Sequence, residues 1–219
     1  MTVINNARIE FLMNKLNKDL SPTGIIQLDG ILSGDNTISP EMYQYYRNLN
    51  ERKIIINDDI TSSLLEYAIM PLIEMDNDGT GKPIHIYLQT CGGSLTDGFV
   101  LCDIIDNIKT PLVIEVIGYA YSMGGIILMS GYKNDNVRKI CHKHSTALLH
   151  AGSYYLEGNA NSVKDQFHFN EKMEEQIRDY TLSHSKITNE EYERMDRYEW
   201  YLLSDEMLKY GLVDEVIGV

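Results

Sequence analysis

Twice in succession, over residues 84–108 and 112–131, this chain runs from a β-branched segment through a glycine-bearing turn into an apolar segment of helical character. In the first unit, Ile84-His-Ile-Tyr-Leu88 is followed by Cys91-Gly-Gly93 and a helix from about Ser94 to Asn107. Leu95, Phe99, Leu101, Cys102, Ile104, Ile105 and Ile108 are its core candidates. In the second, Leu112-Val-Ile-Glu-Val-Ile117 leads through Gly118-Tyr-Ala-Tyr-Ser-Met-Gly-Gly125 to the buried run Ile126–Met129. Strand, tight turn and helix in repetition specify an α/β fold with a largely parallel sheet, because each helix returns the chain to start the next strand in the same direction.

The remaining pattern fits that frame. Lys53–Asn57, Ala147–Leu149 and Leu212–Ile217 read as strands, and 61–75 as a helix. A long helical segment covers 159–185, with Val163, Phe167, Met173, Ile177 and Tyr180 in a stripe too irregular for an ordinary core helix. Thr188 with Glu191 three residues later is a capping pattern. Ser204–Gly211 reads as a capped helix closed by glycine. Ahead of these lie an amphipathic helix over 7–20, a short strand at 25–28 and a turn-rich loop at 33–40.

Of the 219 residues, 43% are hydrophobic and 23% charged, enough for a sizeable core. A net charge of −13 argues against a nucleic-acid-binding surface, which needs a basic field. Cys91, Cys102 and Cys141 form no framework spacing, the pattern of free thiols in a reducing compartment. The first residues lack the basic-then-apolar order of a signal peptide, and Glu115 and glycines interrupt the longest apolar run. The expectation is a soluble, cytoplasmic protein without nucleic-acid or membrane partners.

Ser122 is the first candidate for chemistry. Ala120 and Gly124 lie two residues to either side, so a sharp strand-to-helix turn can present its hydroxyl, and a helix beginning there aims free N–H groups at an adjacent anion. Cys91-Gly92-Gly93 occupies the equivalent turn of the first unit. Its spacing matches neither dinucleotide nor Walker loops, which leaves oxyanion donation or simple turn formation. His150, at the end of strand 147–149 beside Ala151-Gly152, is placed to face a cleft and to take a proton from a serine. On residues alone, close packing and a structural histidine explain these features equally well. His142 and His144 share a strand face with Lys143 between them and no third ligand, so they read as solvated rather than as a metal site. Asp76–Gly81 lacks the acidic ladder of a calcium loop.

Gly-Tyr-Ala-Tyr-Ser122-Met-Gly, the later Leu-Leu-His150 and the C-terminal Tyr-Leu-Leu-Ser-Asp-Glu-Met-Leu-Lys-Tyr-Gly-Leu-Val-Asp214 together resemble the proteolytic subunit of the Clp protease, as does Leu88-Gln-Thr-Cys-Gly-Gly-Ser-Leu-Thr-Asp-Gly98. The resemblance covers about residues 42–218. It implies a spiral of repeated strand-strand-helix units, shared with crotonase-like enzymes, bearing a protruding handle helix. Residues 1–40 would be a divergent extension of helix plus loop. Residues 41–219 would form the peptidase domain, with the handle over about 153–186. It further implies a serine endopeptidase in which Ser122 is nucleophile and His150 base, with the N–H groups of Gly92 and Met123 as oxyanion hole. No metal or cofactor is implied. Stacked homo-oligomeric rings, heptameric by resemblance, would enclose unfolded protein or peptide substrates, extended between residues near 92–95 and 151–158. An ATP-dependent unfoldase is the implied partner.

Three departures stand out. Glu199 falls where the family's orienting aspartate belongs, with Asp196 as the alternative third member. Cys91 replaces a proline. His85 and Tyr87 fall at the family's unfoldase-binding pocket. Two other readings compete: a non-catalytic ring subunit with a decayed site, and a crotonase-like acyl-thioester enzyme using paired N–H groups without a nucleophile.

Overall fold

The structure, a computed structural model, describes residues 40–195 and 198–218, and the chain divides into two compact units, 1–53 and 54–219. The expected helix at 7–20, strand at 25–28 and loop at 33–40 lie outside the described residues. Within the first unit, helix α1 (Pro40–Asn50) carries an acidic residue in its first turn and Arg47 in its last, as the helix dipole favours.

The second unit is built on a seven-stranded sheet. Strand β1 (Lys53–Ile56) is followed by one π-helical stretch, Leu65–Ile69, that passes directly into helix α2 (Met70–Asn77). Strand β2 (Ile84–Thr90), helix α3 (Leu95–Asp106), strand β3 (Leu112–Tyr121) and helix α4 (Met123–Met129) are the two repeated units. Then come β4 (Val137–His142), β5 (Thr146–Leu149), the 24-residue helix α5 (Ala160–Ser183), α6 (Asn189–Met195), β6 (Trp200–Leu203), α7 (Ser204–Lys209) and β7 (Glu215–Ile217).

The main path runs β1-β2-β3-β4-β7, and the pairs β2–β3, β3–β4 and β4–β7 are all parallel. Strand β3 serves two partners: Leu112–Val116 pairs with β4, whereas Tyr119–Tyr121 pairs with β5. Strand β6 then adds antiparallel to β5. The sheet alternates cleanly. Ile84, Ile86, Leu88 and Thr90 of β2 are buried beside Leu112, Ile114 and Val116 of β3. Burying a Leu or Ile side chain contributes about 2 kcal/mol, so this row is a substantial part of the core. Helix α4 is buried at every position, which explains an apolar sequence without an amphipathic period.

Several local expectations shift. Strand β3 continues four residues past Ile117, so Gly118-Tyr-Ala-Tyr is strand and only Ser122 turns the chain. A Cβ at Gly118 would meet the end of the Gln89 side chain of β2 at 2.3 Å, a flexible group that can turn aside. Ser204 is not the cap of α7: its hydroxyl donates to the Lys143 carbonyl, and the Glu206 carboxylate accepts the Leu203 N–H instead. The Thr188/Glu191 capping box forms as expected, with reciprocal bonds of 3.2 and 3.0 Å. His142 is not merely solvated. Its Nε2 lies 2.8 Å from Glu115, whose other oxygen is 2.8 Å from His85 Nε2. Helix α5 buries only Thr181 and leaves Phe167 and Phe169 exposed. Among the described residues no helix is long and apolar enough to cross a membrane.

Candidate active site

Ser122 sits alone between β3 and α4 with φ 54° and ψ −121°. A non-glycine residue with positive φ is strained by about 1–3 kcal/mol and persists only where its surroundings enforce it. The enforcing contacts are visible. The Ser122 N–H donates to Leu148 O of β5 at 2.8 Å, and its carbonyl accepts Gly125 N–H at 2.9 Å. Gly124 meets β2 so closely that a Cβ there would lie 2.6 Å from Thr90 Cγ2. The helix therefore starts hard against the sheet, and the serine side chain is left at the mouth of a pocket.

That pocket has a volume of about 350 Å³. Ser122, His150, Cys91 and Gly93 contribute polar or backbone surface. Leu95, Ile126, Leu149, Ile177, Met195 and Trp200 make much of its wall apolar. Among the described residues no hydrogen bond closes between Ser122 Oγ and His150, a common state for such pairs without substrate.

The sheet itself brings His150 and Glu199 together. The last antiparallel pair of β5 and β6 is Leu149 with Trp200, so continuation by one position sets His150 opposite Glu199. Their contact is His150 Nδ1 to Glu199 Oε1 at 3.2 Å, with His150 26% and Glu199 58% exposed at the side chain. Because Nδ1 faces the glutamate, Nε2 is the ring nitrogen left for chemistry. Glu199 Oε2 accepts the Tyr201 hydroxyl at 3.4 Å. Asp196 lies outside the described residues.

The glycine turn differs from expectation in one atom. The Gly92 N–H donates to Thr90 Oγ1 at 3.0 Å, and its carbonyl accepts Ile60 N–H at 2.8 Å. Ile60 O accepts Ser94 N–H at 2.7 Å, so Gly93 is bridged to Ile60 with its own peptide groups turned away. A Cβ at Gly93 would lie 2.3 Å from Ile60 O, so only glycine fits. Among the described residues neither Gly93 N–H nor Met123 N–H has an acceptor. The turn also abuts the serine: a Cβ on Gly92 would stand 2.9 Å from Met123 N and 2.7 Å from Ser122 Cβ. Thus the free N–H of the turn belongs to Gly93, whereas the sequence reading assigned it to Gly92. The signal in the sequence was Thr90, whose hydroxyl reaches the amide two residues on.

Beside the site, the neighbouring Cys91 thiol pushes the Tyr119 phenol above its ordinary range, and the Tyr119 and Tyr121 ring centroids lie 4.9 Å apart. Among the described residues no cluster of three ligating side chains forms a metal site. The set present is a strained serine, an imidazole with a carboxylate 3.2 Å from its Nδ1, and two free amides beside a largely apolar pocket. Such a set can attack a carbonyl, shuttle a proton and hold an oxyanion.

Comparison with known proteins agrees in kind. A family model described as Clp protease matches residues 37–219. The chain is 27% identical over 173 residues to the ATP-dependent Clp protease proteolytic subunit of Deinococcus radiodurans, covering 79% of this chain and 83% of the relative. It is 26% identical over 171 residues to the ATP-dependent Clp protease proteolytic subunit 2 of Prochlorococcus marinus strain MIT 9312, covering 76% and 81%.

Proposed function

Because the chain belongs to the Clp protease family, we propose that it is a serine endopeptidase working through Ser122, His150 and Glu199. The observation that carries this reading is the enforced positive-φ turn at Ser122, opening on the same pocket as an imidazole whose Nδ1 is held by Glu199. Ser122 Oγ attacks the peptide carbonyl while His150 Nε2 takes its proton. The tetrahedral oxyanion accepts hydrogen bonds from the Gly93 and Met123 N–H groups, with Gly93 replacing Gly92 in this role. His150 returns the proton to the leaving amine, and water hydrolyses the acyl-enzyme by the same path in reverse. Glu199 fixes the imidazole tautomer and stabilises the imidazolium without itself taking the proton. The apolar wall suits an apolar side chain next to the cleaved bond.

The domain division at about residue 40, the handle role of α5, assembly into stacked rings and feeding by an ATP-dependent unfoldase belong to the same proposal. The exposed Phe167 and Phe169 on a helix that buries one residue support assembly through α5. The test is labelling by a fluorophosphonate with light scattering on the same sample. The expected result is a ring labelled at Ser122, with labelling abolished in Ser122→Ala, strongly reduced in His150→Ala and reduced in Glu199→Gln. An assembled ring that labels elsewhere overturns the serine assignment. An assembled ring that neither labels nor cleaves peptide leaves assembly as the function.

A further inference from the structure

Glu199 is poorly restrained by its own surroundings. It lies in the coil before β6, is 58% exposed, and reaches His150 only at 3.2 Å. Good charge-assisted hydrogen bonds are shorter, and a glutamate has one more rotor to immobilise than an aspartate. Its second oxygen, however, has a partner. Glu199 and Tyr201 are two apart at the start of a strand and so share a face, and Tyr201 Oη donates to Oε2 at 3.4 Å. The phenol is itself held. Its ring meets Tyr121 edge-to-face at 5.9 Å, and the Tyr121 hydroxyl hydrogen-bonds Thr146 at 2.9 Å. Register explains why these aromatics meet: Leu148 of β5 pairs with Tyr121 on one side and Tyr201 on the other. Partial desolvation first and the Glu199 charge second push the Tyr201 hydroxyl above its ordinary range.

We propose that Tyr201, braced by Tyr121, is a positioning residue for Glu199: it occupies one carboxylate oxygen so that the other is presented to His150. This inference rests on the serine-peptidase reading and assigns a role to a hydroxyl that the triad does not require. A hydroxyl that only orients the acid acts in the transition state, when imidazolium forms, and not in substrate binding.

The test is a double-mutant cycle of Tyr201→Phe and Glu199→Gln, read as kcat and KM for a fluorogenic peptide and as the rate of fluorophosphonate labelling. Ring mass and thermal midpoint are checked in each protein. The expected result is that Tyr201→Phe lowers kcat about five-fold, as loss of one long hydrogen bond to a charged group would, with KM unchanged. In the Glu199→Gln background the same substitution should have no further effect. No loss from Tyr201→Phe, or an equal loss in both backgrounds, overturns the positioning role while leaving the triad in place. Full activity in Glu199→Gln alone overturns the role of Glu199, and the Tyr201 proposal falls with it.

Discussion

Lys139 allows a stability prediction that is independent of the chemistry. It lies on β4 with 1% of its surface exposed, its Nζ 3.5 Å from Met129 O at the end of α4 and 5.3 Å from the Tyr132 ring centroid. Burial pushes its ammonium down to about 8 from an ordinary 10.5, against the opposing pull of Asp214 and Asp106. A lysine lowered on folding gives up its proton earlier in the folded chain than in the unfolded one. Between those two values the unfolded state binds the extra proton, so stability rises with pH through that window. The full difference amounts to about 3 kcal/mol, of which about 1 kcal/mol accrues between pH 7 and pH 9. Replacing Lys139 by Met removes the titration while keeping much of the volume. The assay is urea unfolding of both proteins at pH 7, 8 and 9, comparing how the gap between their midpoints changes. The buried thiols of Cys102 and Cys141, both pushed up by desolvation, destabilise the fold as pH climbs past the ordinary thiol range, but both proteins share them. The wild type should gain on the variant by about 1 kcal/mol over those two pH units. Parallel curves would refute the claim that burial outweighs Asp214 and Asp106 at this lysine.

Two further expectations concern the site and the long helix. Ser122→Gly should raise stability by about 1 kcal/mol, by relieving the strain at φ 54°, while abolishing fluorophosphonate labelling; a less stable variant in thermal unfolding would show that no strain is stored there. Phe167→Ser combined with Phe169→Ser, at positions 51% and 57% exposed, should leave circular dichroism unchanged and weaken assembly at least ~10-fold by light scattering. An unchanged mass at the lowest measurable concentration would mean that these rings do not lie in the assembly contact.

Features set by local composition were legible in the sequence. The β-branched runs at 53–57, 84–88 and 112–117 became strands, and the Thr188/Glu191 pair capped its helix, because both effects act within a few residues. The features that escaped depend on partners distant in sequence. Strand β3 runs through Gly118–Tyr121 because β5, starting at Thr146, pairs with it there. His142 meets Glu115 only once β3 and β4 align. The free amide moved from Gly92 to Gly93 because Ile60 and Thr90 occupy the groups around it. At the candidate site, the placement of Ser122 and His150 just past strand ends was legible because small residues lie beside each. Glu199 was indicated only through the family resemblance, because residue pattern alone carries no sign of the antiparallel register that sets it against His150.

The divided allegiance of β3 has a mechanical consequence. His150 and Glu199 extend from one two-stranded ribbon, β5 with β6, and the same ribbon holds the Ser122 N–H through Leu148 O, while the rest of the Ser122 backbone follows α4 and the end of β3. The ribbon joins the main sheet along the last three residues of β3 and at the Ser122 N–H. A displacement of the ribbon as a body carries the imidazole and its carboxylate together and preserves their mutual distance. The Ser122–Leu148 bond ties the serine turn to the same displacement, so all three groups of the proposed triad take their positions from strand β5.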